Sequence, residues 1–167
     1  VYATAIQDLK EKGIVQGYDG VHFAPESLIT RAELLKIALE GAKIDTSSWK
    51  DKPSTFSDLS LTHSLRQYVL YAREKGIVSG YTDGTYKPDQ PTTRAEAIKM
   101  LLNINATSVP TVVTSLPYQD LRLNDPLAPY VFAAREKRII PGKYQANKLG
   151  TGDLIKRGEV AEMMYRL

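Results

Sequence analysis

Arg31, Arg94 and Arg157 recur at a constant spacing of 63 residues, and a glutamate follows each two positions on, at Glu33, Glu96 and Glu159. The surrounding elements are Ile29-Thr30-Arg31-Ala32-Glu33, Thr92-Thr93-Arg94-Ala95-Glu96 and the more worn Ile155-Lys156-Arg157-Gly158-Glu159. Thr30 with Glu33, and Thr93 with Glu96, have the spacing of a capping box, in which the hydroxyl accepts an orphan amide and the carboxylate reaches back. Copy three has Lys156 at the cap position. Each arginine then falls in the first turn of a helix, where the macrodipole disfavours a cation by about 0.3–1 kcal/mol. Two readings follow. Helix-start amides and a guanidinium fork together suit a carboxylate or phosphate. Alternatively, each arginine pairs with an acid of a neighbouring copy, such as Asp58 or Asp120, and stitches the copies together.

A second element repeats as well: Gly13-Ile14-Val15-Gln16-Gly17-Tyr18-Asp19-Gly20 reappears as Gly76-Ile77-Val78-Ser79-Gly80-Tyr81-Thr82-Asp83-Gly84. Gly17, Gly20, Gly80 and Gly84 read first as turn residues that supply positive φ. Their second use is close backbone approach to a ligand, with Tyr18 and Tyr81 as ring-stacking walls. Capping explains Glu33 and Glu96 without chemistry, and no catalytic residue is assigned. A hydrolase would need an acid/base pair that stands apart from the caps. His22 and His63 are isolated, and the loops around Asp19, Asp83 and Asp89 lack the ligand pattern of a calcium loop, so neither metal nor cofactor is expected.

Elements of one kind position these residues. Each copy reads as helix, turn-rich loop, helix. The first helix carries Ile6 and Leu9, Val69 and Ala72, or Val131 and Ala134 at helical spacing, and it ends at Gly13, Gly76 or Arg138. With Arg138 in place of Gly, the third of these ends is expected to be less well capped. The second helix is apolar except for a narrow stripe: Glu33, Lys36 and Glu40; Glu96, Lys99 and Asn103; Glu159, Glu162 and Arg166. Phe56-Ser57-Asp58-Leu59 and Tyr118-Gln119-Asp120-Leu121 precede the later copies, and the first copy lacks this element. The copies therefore run 1–43, 56–103 and 118–167, with linkers at 44–55 and 104–117. The expected fold is all-α, three helix-loop-helix repeats packed with approximate three-fold symmetry; stacking as a solenoid is the alternative.

At 167 residues the chain is about one domain long, and 43% hydrophobic with 25% charged residues matches a globular core rather than a disordered chain. Lys+Arg 22 against Asp+Glu 19 leaves only +3, with no run of like charges, so nucleic acid is not an expected partner. No apolar stretch approaches the roughly 18–20 residues of a membrane span. The chain has no cysteine, hence no disulfide frame, and beginning at Val1 it reads as a segment of a longer polypeptide.

The order Phe56-x-Asp58, Gly76-Ile77, Gly80-Tyr81-x-Asp83-Gly84-x-Tyr86-x-Pro88, Thr93-Arg94-Ala95-Glu96 closely resembles the S-layer homology motif, and three tandem copies resemble the usual domain of that family. The resemblance implies a pseudo-trimeric spindle around a central three-helix bundle. It also implies an extracellular role, holding a bacterial surface protein non-covalently to a cell-wall polysaccharide that carries carboxylates, typically pyruvate ketals. Ligand grooves would lie between copies, at Arg31, Arg94 and Arg157. Two departures bear on this. The family's tryptophan before the first helix is replaced by Ser64 and Pro126, the only tryptophan being Trp49 in a linker, and copy three has Pro141-Gly142-Lys143-Tyr144 in place of the Gly-Tyr-Asp-Gly loop. A protein-interaction module that joins surface-layer subunits through degenerate grooves is the alternative function.

Overall fold

The second helix of each copy begins where its cap places it. Thr30 Oγ1 accepts the Glu33 amide at 3.2 Å and Glu33 Oε2 accepts the Thr30 amide at 2.9 Å, which opens α2 (Arg31–Gly41). Thr93 and Glu96 open α4 (Arg94–Ile104) through the same pair of bonds, at 3.4 and 3.2 Å. At α6 (Arg157–Arg166) the Lys156 side chain has no acceptor to offer. Only half of the device remains, the Lys156 amide donating to Glu159 Oε2 at 3.0 Å. The first helices are α1 (Ala3–Glu11), α3 (Arg66–Glu74) and α5 (Ala128–Glu136). The computed structural model describes residues 2–15, 22–116, 118–141, 144 and 147–167. Among these residues the fold is all-α, with one 3-10 turn at Ser47–Trp49 and no extended pairing beyond isolated bridges. None of these helices is long and apolar enough to cross a membrane.

Packing is cyclic. The first helix of each copy lies on the second helix of the copy before it: α3 on α2, α5 on α4 and α1 on α6. Helix α2 also touches both α4 and α6. Leu34, Leu35 and Leu39, Ile98, Leu101 and Leu102, and Val160 and Met163 are sealed from solvent, as are Val69, Ala72, Val131 and Ala134 on the first helices. The polar stripe is less wet than its composition implies. Glu33, Lys36, Glu40, Glu96, Lys99 and Asn103 are half-buried, and Glu40 accepts the Tyr68 hydroxyl of the overlying α3 at 2.6 Å. Glu159 leaves the stripe altogether and is buried.

Ahead of the second helices the three copies meet edge to edge. The Ile29 amide donates to Ile155 O at 3.3 Å, the Ile155 amide to Thr92 O at 3.0 Å, and the Thr92 amide to Ile29 O at 3.2 Å. All three residues are fully buried. Antiparallel bridges between Leu28 and Lys156, Thr30 and Pro91, and Thr93 and Leu154 flank this ring. A buried peptide left unpaired would cost about 1–3 kcal/mol. Each copy therefore depends on the other two to satisfy its backbone, as an open stack with free ends would not.

The loop between helices is held by an acid of its own copy. Asp58 accepts the Tyr86 and Lys87 amides at 2.9 and 2.7 Å. Asp120 accepts the amides of Leu149, Gly150 and Thr151 at 3.0, 2.6 and 3.0 Å. These carboxylates are committed to peptides, which corrects the reading of Asp58 and Asp120 as ion partners of the arginines. Burial alone would raise the Asp120 pKa, but the three amides outweigh it and hold it below its ordinary value. A depressed folded pKa contributes stability above the unfolded value of about 3.9, and that stability is lost as pH falls through the lower folded value. In denaturant titrations, the wild type is expected to lose more unfolding free energy below about pH 4 than Asp120→Asn does; parallel profiles would contradict the clamp.

Arg138 ends α5 with φ +57°, the left-handed conformation that Gly13 and Gly76 adopt at the ends of α1 and α3. Its amide bonds Arg135 O at 3.0 Å, as the Gly76 amide bonds Arg73 O at 3.1 Å. The cap is intact, contrary to the sequence expectation, and the penalty appears as backbone strain instead. A non-glycine residue there costs roughly 1–2 kcal/mol, offset in part by the greater freedom of Gly in the unfolded chain. Arg138→Gly is expected to stabilise by about 1 kcal/mol and to raise Tm by about 2–4 °C in calorimetry. A lowered Tm would contradict the assignment.

Candidate functional site

The positive ends of the second helices are occupied by the protein itself. The Arg31 and Ala32 amides donate to Gln90 O and Pro88 O, both at 3.0 Å. Those of Arg94 and Ala95 donate to Asp153 O and Thr151 O at 2.9 and 3.1 Å, and those of Arg157 and Gly158 to Ser27 O and Pro25 O at 2.9 Å. Each helix thus starts on the loop of the next copy. This corrects the reading in which helix-start amides help to hold an external acid.

The three arginines repeat one contact. Arg31 Nε donates to Tyr86 O at 3.0 Å, Arg94 Nη1 to Leu149 O at 3.0 Å and Arg157 Nε to Phe23 O at 3.1 Å. All three residues are buried. The guanidinium of Arg31 also lies 4.7 Å from the Tyr86 ring centre, and that of Arg157 4.8 Å from the Phe23 ring. They stitch the copies together: the partner shared by all three is a peptide carbonyl, and Arg31 and Arg94 also pair with acids of the next copy, Glu96 and Glu159, rather than with Asp58 or Asp120. The ring of copies therefore closes one to two, two to three, three to one, and Tyr144 of copy three meets Arg94.

Beyond the shared carbonyl the junctions differ. At Arg31 a groove of about 170 Å³ opens between copies one and two, with Arg31, Gly80, Tyr81, Glu96 and Lys99 on its walls and Met100 among its apolar contributors. Arg31 Nη1 is 3.6 Å from Glu96 Oε1, beyond hydrogen-bond reach, and the Glu96 side chain is 32% exposed. Tyr81 stands under two cations, Arg31 Cζ at 5.0 Å and Lys87 Nζ at 4.2 Å from its ring centre. A Cβ on Gly80, where φ is +76°, would overlap Phe56 and come within 2.9 Å of Thr85 O, so packing already requires this glycine. Gly84, with φ +80°, closes the turn and has open space around it.

At Arg94 the guanidinium is engaged on every side. Nε donates to the Tyr144 hydroxyl at 2.9 Å, Nη1 to Leu149 O and Gly150 O at 3.0 and 2.6 Å, and Nη2 to Glu159 Oε1 at 3.3 Å. The Tyr144 hydroxyl in turn donates to Glu159 Oε1. Burial first, then this bond to Glu159, pushes the Tyr144 pKa well above its ordinary value. At the third junction, Gly17, Tyr18 and Gly20 lie outside the described residues, and Phe23 is the described residue of that loop whose carbonyl Arg157 Nε reaches.

A larger hollow, about 470 Å³, lies elsewhere, between α1 and the C-terminal ends of α2 and α6, with Lys12, Lys43 and Met164 on its walls and no arginine. Sequence reasoning missed Lys99 and the Tyr144–Glu159 pair as groove residues. The signal was the same 63-residue step, which aligns Tyr144 with Tyr81 and Glu159 with Glu96.

Comparison with known proteins places this geometry in a family. Residues 1–35 and 55–98 match the S-layer homology domain. The chain is 37% identical over 94 residues to cell surface glycoprotein 1 of Acetivibrio thermocellus, and 42% identical over 84 residues to a cellulosome-anchoring protein of the same organism. It is 30% identical over 128 residues to an endoglucanase of a Bacillus species. These alignments cover 56%, 49% and 77% of this chain but only 4%, 19% and 13% of the respective relatives. Both matched segments contain the first helix of a copy and the arginine that opens its second, and these two segments are S-layer homology motifs.

Proposed function

We propose that the chain is a non-catalytic anchor that holds a bacterial surface protein to the cell wall by taking an acidic wall polysaccharide into the groove beside Arg31. Relatives described as a cellulosome-anchoring protein and a cell surface glycoprotein support the anchoring role. The endoglucanase shares only a small part of its length with this chain, which fits a module carried beside an enzyme.

One observation carries the finer reading: a buried guanidinium on the wall of an open crevice that a second cation, Lys99, also lines. A pyruvate ketal places a carboxylate and a methyl group on one carbon. The carboxylate suits Arg31 and Lys99, and the methyl suits the apolar wall that includes Met100 and Leu127. The closed network at Arg94 favours the second reading, an interaction module that joins surface-layer subunits, for that junction alone.

Purified wall material that carries pyruvylated polysaccharide should retain the protein in a pull-down and release it once the ketals are removed by mild acid. Arg31→Lys keeps the charge but loses the fork and the Nε bond to Tyr86 O, so it should lower Tm by several degrees and, assayed well below that Tm, weaken retention about tenfold or more. Retention that is indifferent to ketal removal would overturn the carboxylate mechanism.

A further inference from the structure

The junction at Arg94 is built from the same residue types as the groove at Arg31, shifted by one copy: Arg31, Tyr81 and Glu96 correspond to Arg94, Tyr144 and Glu159. In the first set Arg31 and Glu96 form an ion pair at 3.6 Å without a hydrogen bond; in the second, hydrogen bonds join all three residues. We infer that Glu159 is the resident acid ligand of Arg94, locked in place by Tyr144, so that the protein offers an acid-binding crevice at Arg31 and withholds it at Arg94. The consequence for wall binding rests on the acid-binding reading of Arg31 above; the lock itself does not.

The cause lies in two threonines. At α4, the Thr92 and Thr93 hydroxyls both donate to Glu96 Oε2 at 3.2 Å, beside the Thr93 amide at 3.2 Å. Three donors hold this oxygen over the helix start, and Oε1 reaches Arg31 only at ion-pair distance, 3.6 Å. At α6 the matching residues are Ile155 and Lys156, neither of which has a hydroxyl. Glu159 Oε2 takes the Lys156 amide at 3.0 Å, while Oε1 receives the Tyr144 hydroxyl and Arg94 Nη2. Exposure follows: the Glu159 side chain is 5% exposed against 32% for Glu96. The lysine on the open groove's wall, Lys99, corresponds to Glu162 in copy three, which is paired with Arg166 at 2.7 Å. An external carboxylate approaching Arg94 would have to displace an internal one.

Arginine side-chain NMR on the isotopically labelled chain tests this. Without any sugar, the Nη protons of Arg94 should give separate, slowly exchanging signals, while those of Arg31 average through rotation. Tyr144→Phe combined with Glu159→Gln, which keeps an acceptor for the Lys156 amide, should make Arg94 average as Arg31 does. Lys156→Thr serves as a second variant that leaves the triad in place and draws Glu159 back toward the cap; it should loosen Arg94 in the same direction. On titration with the 4,6-pyruvate ketal of methyl N-acetyl-D-glucosaminide, the wild type should shift at Arg31 alone, and the double variant at both arginines. Averaged Arg94 signals in the wild type, or a saturable shift there, would overturn the inference. So would variants that leave Arg94 as restrained as before. If the sugar moves neither arginine while Arg94 stays resolved in the wild type and loosens in the variants, the lock stands and the acid-binding reading of the Arg31 groove fails.

Discussion

A guanidinium at the first turn of each second helix reaches across to a peptide carbonyl of the next copy, and the rest of the structure is arranged around that bond. The receiving residues, Phe23, Tyr86 and Leu149, are themselves buried. In copies two and three, the amides beside that carbonyl are held by Asp58 and Asp120. The same short stretch of loop is thus gripped by its own acid on one side and by a neighbour's base on the other. A hydrogen bond from a charged donor contributes about 1.5–3 kcal/mol, and removing one partner of a buried charge costs more. Three such junctions closing on one another explain how a chain of modest length without a single disulfide keeps three copies in register.

The arrangement also resolves why a cation occupies the unfavourable end of a helix three times. The positive partial charge of each helix start is met by two carbonyls of the adjacent loop and by the capping glutamate. The arginine then faces further oxygen atoms rather than bare amides. What distinguishes the junctions is the number of oxygens left over for it. Arg94 has carbonyls, a phenol and a carboxylate within reach. Arg31 has one carbonyl, a carboxylate at ion-pair distance only, the faces of two tyrosines and an open crevice. A site for an external acid arises where the protein stops short of satisfying its own base.

Much of this was legible in the sequence, and the limits have physical reasons. The repeat step, the capping boxes at Thr30 and Thr93 and the left-handed ends at Gly13 and Gly76 depend on side-chain type, so the letters carry them. A carbonyl partner has no letter. Any residue could supply the oxygen at position 23, 86 or 149, which is why Asp58 and Asp120 looked like the better partners for the arginines. Arg138 shows a related limit: a cooperative end to α5 overrides the local preference of one residue. The burial of Glu159 was hidden because it follows from the loss of hydroxyls at two neighbouring positions, not from the glutamate, which is present in all three copies.

A crystal of the protein soaked with a pyruvylated amino sugar would examine the central claim most directly, by showing where the sugar's carboxylate sits. The account predicts density beside Arg31, against Gly80, Tyr81 and Lys99, with Arg94 still bound to Tyr144 and Glu159. Density at Arg94, or an empty crevice at Arg31 in a protein that still adheres to pyruvylated wall, would contradict it.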